Sequence, residues 1–121
     1  MINKKINFKE KFSKISEYWS PKIIAEMNDY QFKLAKVKNK FIWHKHDDED
    51  EMFLVLKGAL KIAFRDRTET IQENEIIIVP KGVEHKPIAE EEVSIMLFEP
   101  ATTINTGTLE NKFTRKKLES I

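Results

Sequence analysis

Two short runs, Met52-Phe53-Leu54-Val55-Leu56 and Ile76-Ile77-Ile78-Val79, are apolar at every position. A strand with one wet face alternates apolar and polar residues, so segments this short and this uniformly apolar read as strands covered on both faces. The remainder of the chain must supply the covering layers, as other strands, a helix or a second subunit. With 121 residues the chain can bury one real core but cannot form two ordinary domains. A single domain around these two strands is the expected organisation.

The surrounding pattern is one of short strands punctuated by turn residues. Strands are predicted near 22–26, 29–38, 41–46, 51–57, 59–65, 68–72, 76–79, 83–88 and 92–98. Breaks are expected at Asn28-Asp29, Asn39-Lys40, Lys57-Gly58, Asp66-Arg67, Glu73-Asn74, Lys81-Gly82 and the acidic run Glu90-Glu91-Glu92. Many short strands at this spacing predict an all-β closed barrel or jelly roll over about residues 22–100. Ahead of it, Phe8, Phe12, Ile15 and Trp19 recur at spacings of four, three and four, which predicts a helix ending at Ser20-Pro21 with one apolar face laid on the barrel or on a second subunit. Beyond Pro100, residues 101–121 read as a loop and a lysine-rich, partly mobile tail.

Charge and composition narrow the partners. The formal net charge is +1, so no global field draws the chain toward nucleic acid or an anionic membrane. No apolar run is long enough to span a bilayer, and the polar start Met1-Ile2-Asn3-Lys4-Lys5 lacks the apolar region of a signal peptide. A cytoplasmic location and a small-molecule ligand are expected. With no cysteine in the chain, any bound metal must sit on nitrogen and oxygen.

Those atoms are available in one pattern. His44 and His46 are one residue apart on a predicted strand, so both imidazoles point to the same face, with Trp43 and Lys45 on the other. Glu51 opens the next strand on the face of Phe53 and Val55, and the short connection Asp47-Asp48-Glu49-Asp50 folds that strand back beside the first. Glu49, two residues earlier, has the same strand phase. His85 follows Pro80-Lys81-Gly82, a type I turn signal that can return a strand to the site. Three imidazoles and one carboxylate suit a divalent ion, zinc, manganese, iron, nickel or copper, and leave positions free on a six-coordinate metal. The acidic run 47–50 reads as a solvated loop rather than a second cation site. Phe41, Trp43 and Lys45 are expected to face away from the ligands, while Ile42, Phe53, Val55 and the apolar residues of strand 93–98 are expected to line a largely apolar pocket.

The segment His44-Lys45-His46, four residues, Glu51, six residues, Gly58 resembles the first signature of the cupins, and Pro80-Lys81-Gly82-Val83-Glu84-His85 resembles the second. The resemblance implies a double-stranded β-helix, the jelly-roll barrel of two antiparallel sheets, holding a divalent metal on His44, His46, Glu51 and His85. The six-residue interval to Gly58 favours Glu51 over Glu49. Departures fall at Lys38, Asn74 and Ala89, none of which matches a ligand, and Asn74 can take the left-handed turn conformation that glycine would supply. Trp43 before the first histidine and Thr103-Ile104-Asn105-Thr106-Gly107 after the last strand look like the compact single-domain cupins labelled mannose-6-phosphate isomerase-like. Proteins similar to this include isomerases, dioxygenases and lyases, which makes a small-molecule metalloenzyme one expectation and a non-catalytic metal-binding or sensor module the other. A homodimer is expected from the doubly apolar strands, and small cupins commonly pair.

Overall fold

A computed structural model describes residues 4–121, and it is nearly all β. The elements in chain order are α1 (Phe8–Phe12), β1 (Lys22–Met27), β2 (Tyr30–Lys40), β3 (Glu51–Lys57), β4 (Leu60–Ala63), β5 (Thr68–Ile71), β6 (Ile76–Val79) and β7 (Lys86–Pro100). All pairings between these strands are antiparallel, in the order β1-β2-β7-β3-β6, with β4 joined to β7 and β5 to β4. This is the jelly roll that the strand pattern predicts. The β1–β2 hairpin closes through Asn28 and Asp29, with Asn28 at φ 54°, a left-handed conformation that asparagine tolerates. Asn74 likewise adopts φ 66°.

The two strands predicted at 83–88 and 92–98 are one, the 15-residue β7. Glu90-Glu91-Glu92 does not form a turn. It lies inside β7 where the strand bends: between the pairs Asn39↔Ala89 and Val37↔Val93, β7 advances four residues while β2 advances two. The excess backbone kinks the strand outward and leaves the acids on the surface, where Glu92 accepts from Tyr18 Oη at 2.8 Å and Glu90 pairs with Lys61. The predicted strand 41–46 also fails as a regular element. Asn39 at φ 72° ends the alternation of β2, and the segment keeps only scattered main-chain contacts, Phe41 N–H to Pro87 O and an isolated bridge between His44 and His85 among them.

Side-chain alternation divides the apolar residues into an inner and an outer layer. Val37, Val55, Leu60, Ile62, Val79, Val93 and Ile95 are among the inner residues, each at most 2% exposed. On the outer face of the large sheet, Leu34, Met96, Met52 and Leu54 are covered by Phe12, Ile15 and Ile121. The N-terminal stripe therefore packs on the barrel as expected at Phe12 and Ile15, but the helix itself stops at Phe12 and Trp19 is not on it. The chain leaves the helix at Ser13, and Trp19, at φ 57°, donates its main-chain N–H to Lys36 O and turns its ring inward. The tail, expected to be mobile, is tied to β1 by Ile23 N–H to Glu119 O and Ile121 N–H to Ile23 O.

Within the chain, β3 is half-buried on its outer face, while β6 leaves Ile76 and Ile78 each 58% exposed. Among the described residues no helix is long and apolar enough to cross a membrane. Because Ile62 is completely buried in the inner layer, Ile62→Ala should lower unfolding stability by about 2–5 kcal/mol through lost burial and a residual cavity, measured as a shift in the urea midpoint at unchanged m-value.

Candidate metal centre

His44 and His85 meet because their main chains form a closed hydrogen-bonded pair, His44 N–H to His85 O at 3.0 Å and His85 N–H to His44 O at 2.9 Å. The turn before His85 is anchored to the same segment by Gly82 N–H to His46 O at 2.7 Å. Glu51 arrives from the first position of β3, and the connection preceding it is held by Asp50 accepting from Lys81 N–H. His44, His46, Glu51 and His85 are all buried, and one donor atom from each lies within 4.8 Å of the others. The imidazole rings of His44 and His85 are 4.3 Å apart at their centroids, and His85 Nε2 and His46 Nε2 stand 3.3 Å and 3.5 Å from Glu51 Oε1.

The hydrogen-bond partners fix which ring nitrogens are free. His44 Nδ1 is 2.9 Å from Ile42 O and His85 Nδ1 is 3.0 Å from Val83 O. A carbonyl can only accept, so each Nδ1 carries the proton and each Nε2 keeps its lone pair for a metal. His46 is buried with neither ring nitrogen hydrogen-bonded, an arrangement that costs free energy unless something else satisfies it. Donors about 2.0–2.2 Å from one ion are at most about 4.4 Å apart, so shifts of a few tenths of an ångström fit these four side chains to a divalent cation.

Electrostatics favour the same use. Burial, reinforced by His85, lowers the His44 pKa to about 4 despite the Ile42 hydrogen bond, so the ring stays neutral and able to coordinate across the physiological range. Burial alone would raise the Glu51 carboxyl, but the adjacent imidazoles of His46 and His85 outweigh it and hold the group well below its usual range. Glu51 is thus ionised. Beside it, Glu99 is pushed well up by burial and then by the Glu51 charge, which Lys33 only partly offsets. Lys33 Nζ lies 3.0 Å from Glu99 Oε1, with both side chains 2% exposed. The pair has ion-pair geometry, and Lys33 supplies the nearest positive charge to the two buried acids.

A cavity with about 390 Å³ of empty space, its mouth included, opens onto His44 and Glu51. Phe53, Ile95 and Leu97 line it as predicted; Ile42 and Val55 do not. Val55 is sealed in the inner core, and Ile42 contributes its carbonyl to His44 rather than its side chain to the pocket. Phe41, expected to face away, lines the cavity and meets His44 edge-on at 5.2 Å, because residues 41–43 do not keep the strand alternation. Trp43 does project outward, under the guanidinium of Arg65 at 3.8 Å. Trp19, stacked on Phe41 at 4.8 Å, and Asn105 also line the wall. Both were missed, Trp19 because its spacing mimics a helix stripe and Asn105 because it lies in a loop without periodicity.

That loop backs the site. Thr106 is fully buried, and Thr108 N–H bonds Lys45 O. A Cβ on Gly107 would lie 1.9 Å from Lys45 O and 3.4 Å from His46 Nδ1, so only glycine allows this approach behind the ligand. Glu49, the alternative to Glu51, instead accepts from Thr102 Oγ1 at 2.9 Å, and Asp47 pairs with Lys45 at the surface.

The sequence profile described as "Cupin domain" matches residues 31–99, more than half of the chain. The chain belongs to the cupin family. It is 59% identical to a cupin-2 domain containing protein from Shewanella frigidimarina NCIMB 400, whose crystal structure it matches with a TM-score of 0.78 over 78% of this chain and 93% of that one. Against protein NMB1881 from Neisseria meningitidis the identity is 35% and the TM-score 0.73, over 81% of this chain and all of the other. The uncharacterized protein YdbB of Bacillus subtilis (strain 168) is 41% identical over 64 residues, which span 52% of this chain and 57% of YdbB. In this cupin the four donor atoms of His44, His46, Glu51 and His85 converge. In metal-free protein the His44 ring should titrate near pH 4, followed by its imidazole NMR shifts; a midpoint near the ordinary value of about 6.5 would show that the ring is not desolvated as described.

Proposed function

We propose that this cupin binds one divalent metal ion on His44, His46, Glu51 and His85 and uses it to act on a small, mostly apolar organic molecule held in the adjoining cavity. The observation that carries this reading is the buried, unpartnered His46 ring beside an ionised Glu51, with the Nε2 atoms of His44 and His85 turned to the same point. A divalent ion bound there supplies Lewis acidity toward a substrate oxygen, or redox chemistry if it is iron. The chain's own residues do the rest. Ile42 O and Val83 O hold the tautomers of His44 and His85, and Phe41, Phe53, Ile95 and Leu97 exclude water and orient the ligand's apolar part.

The compact architecture, Trp43 and the Thr103–Gly107 segment support a place beside the mannose-6-phosphate isomerase-like cupins, but not that substrate. No lysine or arginine lines the cavity, so a phosphate would enter without a counter-charge. Within the lining, His44 and Glu51 are the titratable groups, so proton transfers in an isomerase, lyase or dioxygenase reaction would run through the ligand set or bound water. The same scarcity of a separate acid or base supports the alternative of a binding or sensor module.

Protein purified without a polyhistidine tag should carry about one equivalent of zinc, manganese, iron, nickel or copper, read by plasma emission spectrometry. Glu51→Gln and His85→Ala should reduce loading at least about tenfold with the far-UV circular dichroism unchanged. Since imidazoles coordinate only when neutral, metal should be retained at pH 8 and lost on acidification, with the His44 position resisting protons from the ordinary range of about 6.5 down toward its own value of about 4. Equal loading at pH 8 and pH 4 under a mild chelator would exclude the histidines as ligands. Turnover of a keto acid, diketone or sugar by the metal-loaded form would select the enzyme reading, and saturable binding without turnover the module.

We further propose that the cupin is a homodimer joined through the outer face around β6. Ile76 and Ile78 are exposed there beside the half-buried Met52 and Leu54, with which they pair across β3 and β6. Sedimentation at micromolar concentration should give twice the chain mass of 14.3 kDa, and Ile78→Glu should return it to the monomer.

A further inference from the structure

Between α1 and β1 the chain is strapped along β2. Tyr18 forms a parallel bridge with Lys36, Trp19 donates its main-chain N–H to Lys36 O at 3.0 Å, and Lys36 Nζ donates back to Ile15 O at 2.9 Å. Tyr18 Oη ties the same segment to Glu92 in the bend of β7. Within this strap Trp19 sits at φ 57°, a left-handed conformation that a bulky residue keeps only where its surroundings enforce it. Here the surroundings fix the ring. Its Nε1 donates to Lys38 O at 2.8 Å, and it stacks on Phe41 with centroids 4.8 Å apart and 25° between the planes. Phe113 packs on it at 6.5 Å. What the strained backbone achieves is an aromatic wall in the cavity that opens onto His44 and Glu51.

Apart from His44 and Glu51, the side chains in the lining that carry a hydrogen-bonding group are Trp19 and Asn105. Both are already engaged. Trp19 Nε1 is on Lys38 O, Asn105 Nδ2 donates to Phe113 O at 2.8 Å, and Asn105 Oδ1 accepts from Arg115 N–H at 2.8 Å. A ligand with hydroxyls along its whole length would lose water there without gaining partners, which is costly. Discrimination in such a cavity rests on shape. We propose that Trp19 is its specificity-determining residue: the fixed indole sets how large a ligand body can enter, and the class that fits is a single ring-sized apolar body with its oxygen atoms at one end. This assignment rests on the cavity being the ligand site proposed above, and it narrows that ligand away from sugars.

The test uses the full chain, metal-free and zinc-loaded, with phenol, 2-naphthol and myo-inositol as probes, their affinities read by ligand-observed NMR and that of zinc by chelator competition. Wild-type protein should bind phenol at least about tenfold more tightly than myo-inositol. Trp19→Gly, which removes the ring and suits the left-handed backbone, should raise the ratio of 2-naphthol to phenol affinity at least about tenfold. Zinc affinity in the same variant should stay within about threefold of wild type. Should Trp19→Gly fail to fold, Trp19→Phe keeps a smaller ring on Phe41 and should raise the ratio at least about threefold. A merely structural tryptophan would lower the thermal midpoint and leave the ratio alone. That result in whichever variant folds overturns the role of Trp19, and myo-inositol bound as tightly as phenol overturns the ligand class. Wild-type protein that binds none of the probes overturns the ligand reading of the cavity and this assignment together. Protein that shows the change in ratio but binds no zinc overturns the metal reading alone, and so separates the two failures.

Discussion

Strand β7 is hydrogen-bonded to β2, β3 and β4, and no other strand joins so many partners. It does so by bending once, at the acidic run, so that Lys86–Ala89 lies with β4 and the end of β2 while Val93–Pro100 lies between β2 and β3. The bend closes the sheet over the inner core. It also sets the site, because His85 immediately precedes β7 and Glu99 nearly ends it.

The barrel that results encloses an unusual amount of polarity for its size. Four candidate ligands together with Lys33 and Glu99 are each at most 4% exposed. Main-chain carbonyls satisfy one nitrogen of His44 and one of His85, and Lys33 satisfies one oxygen of Glu99. One donor atom from each of His44, His46, Glu51 and His85 lies within 4.8 Å of the others beside the cavity, while Glu99 Oε2 and Thr103 Oγ1 are also buried without a partner. Buried polar atoms are normally paired, so four donors that face one another without other use mark this point as the candidate metal site.

Residues far apart in the chain complete the surroundings. Trp19 from the N-terminal segment stacks on Phe41, Phe113 from the C-terminal segment packs against both, and Gly107 brings the loop backbone up behind His46. The terminal segments thus wall and back the cavity instead of decorating the barrel. Their contribution explains why the pocket differs from one lined by strand residues alone.

The amino-acid sequence by itself determined the all-β class, most strand positions and the grouping of His44, His46, Glu51 and His85. These are legible because they depend on local quantities: the period of two, turn residues such as Asn28-Asp29, and the intervals between ligands that strand phase aligns. Tertiary structure alone decided that residues 83–98 form one bent strand, that Phe41 turns inward, that Trp19 leaves its apparent helix stripe and that the tail is pinned to β1. It also decided that Lys33 and Glu99 are buried together. In sequence Lys33 is one lysine among many and Glu99 follows an apolar strand. Only the register between β2 and β7, set by bulges and by the path of the whole barrel, turns both side chains inward and brings them beside Glu51.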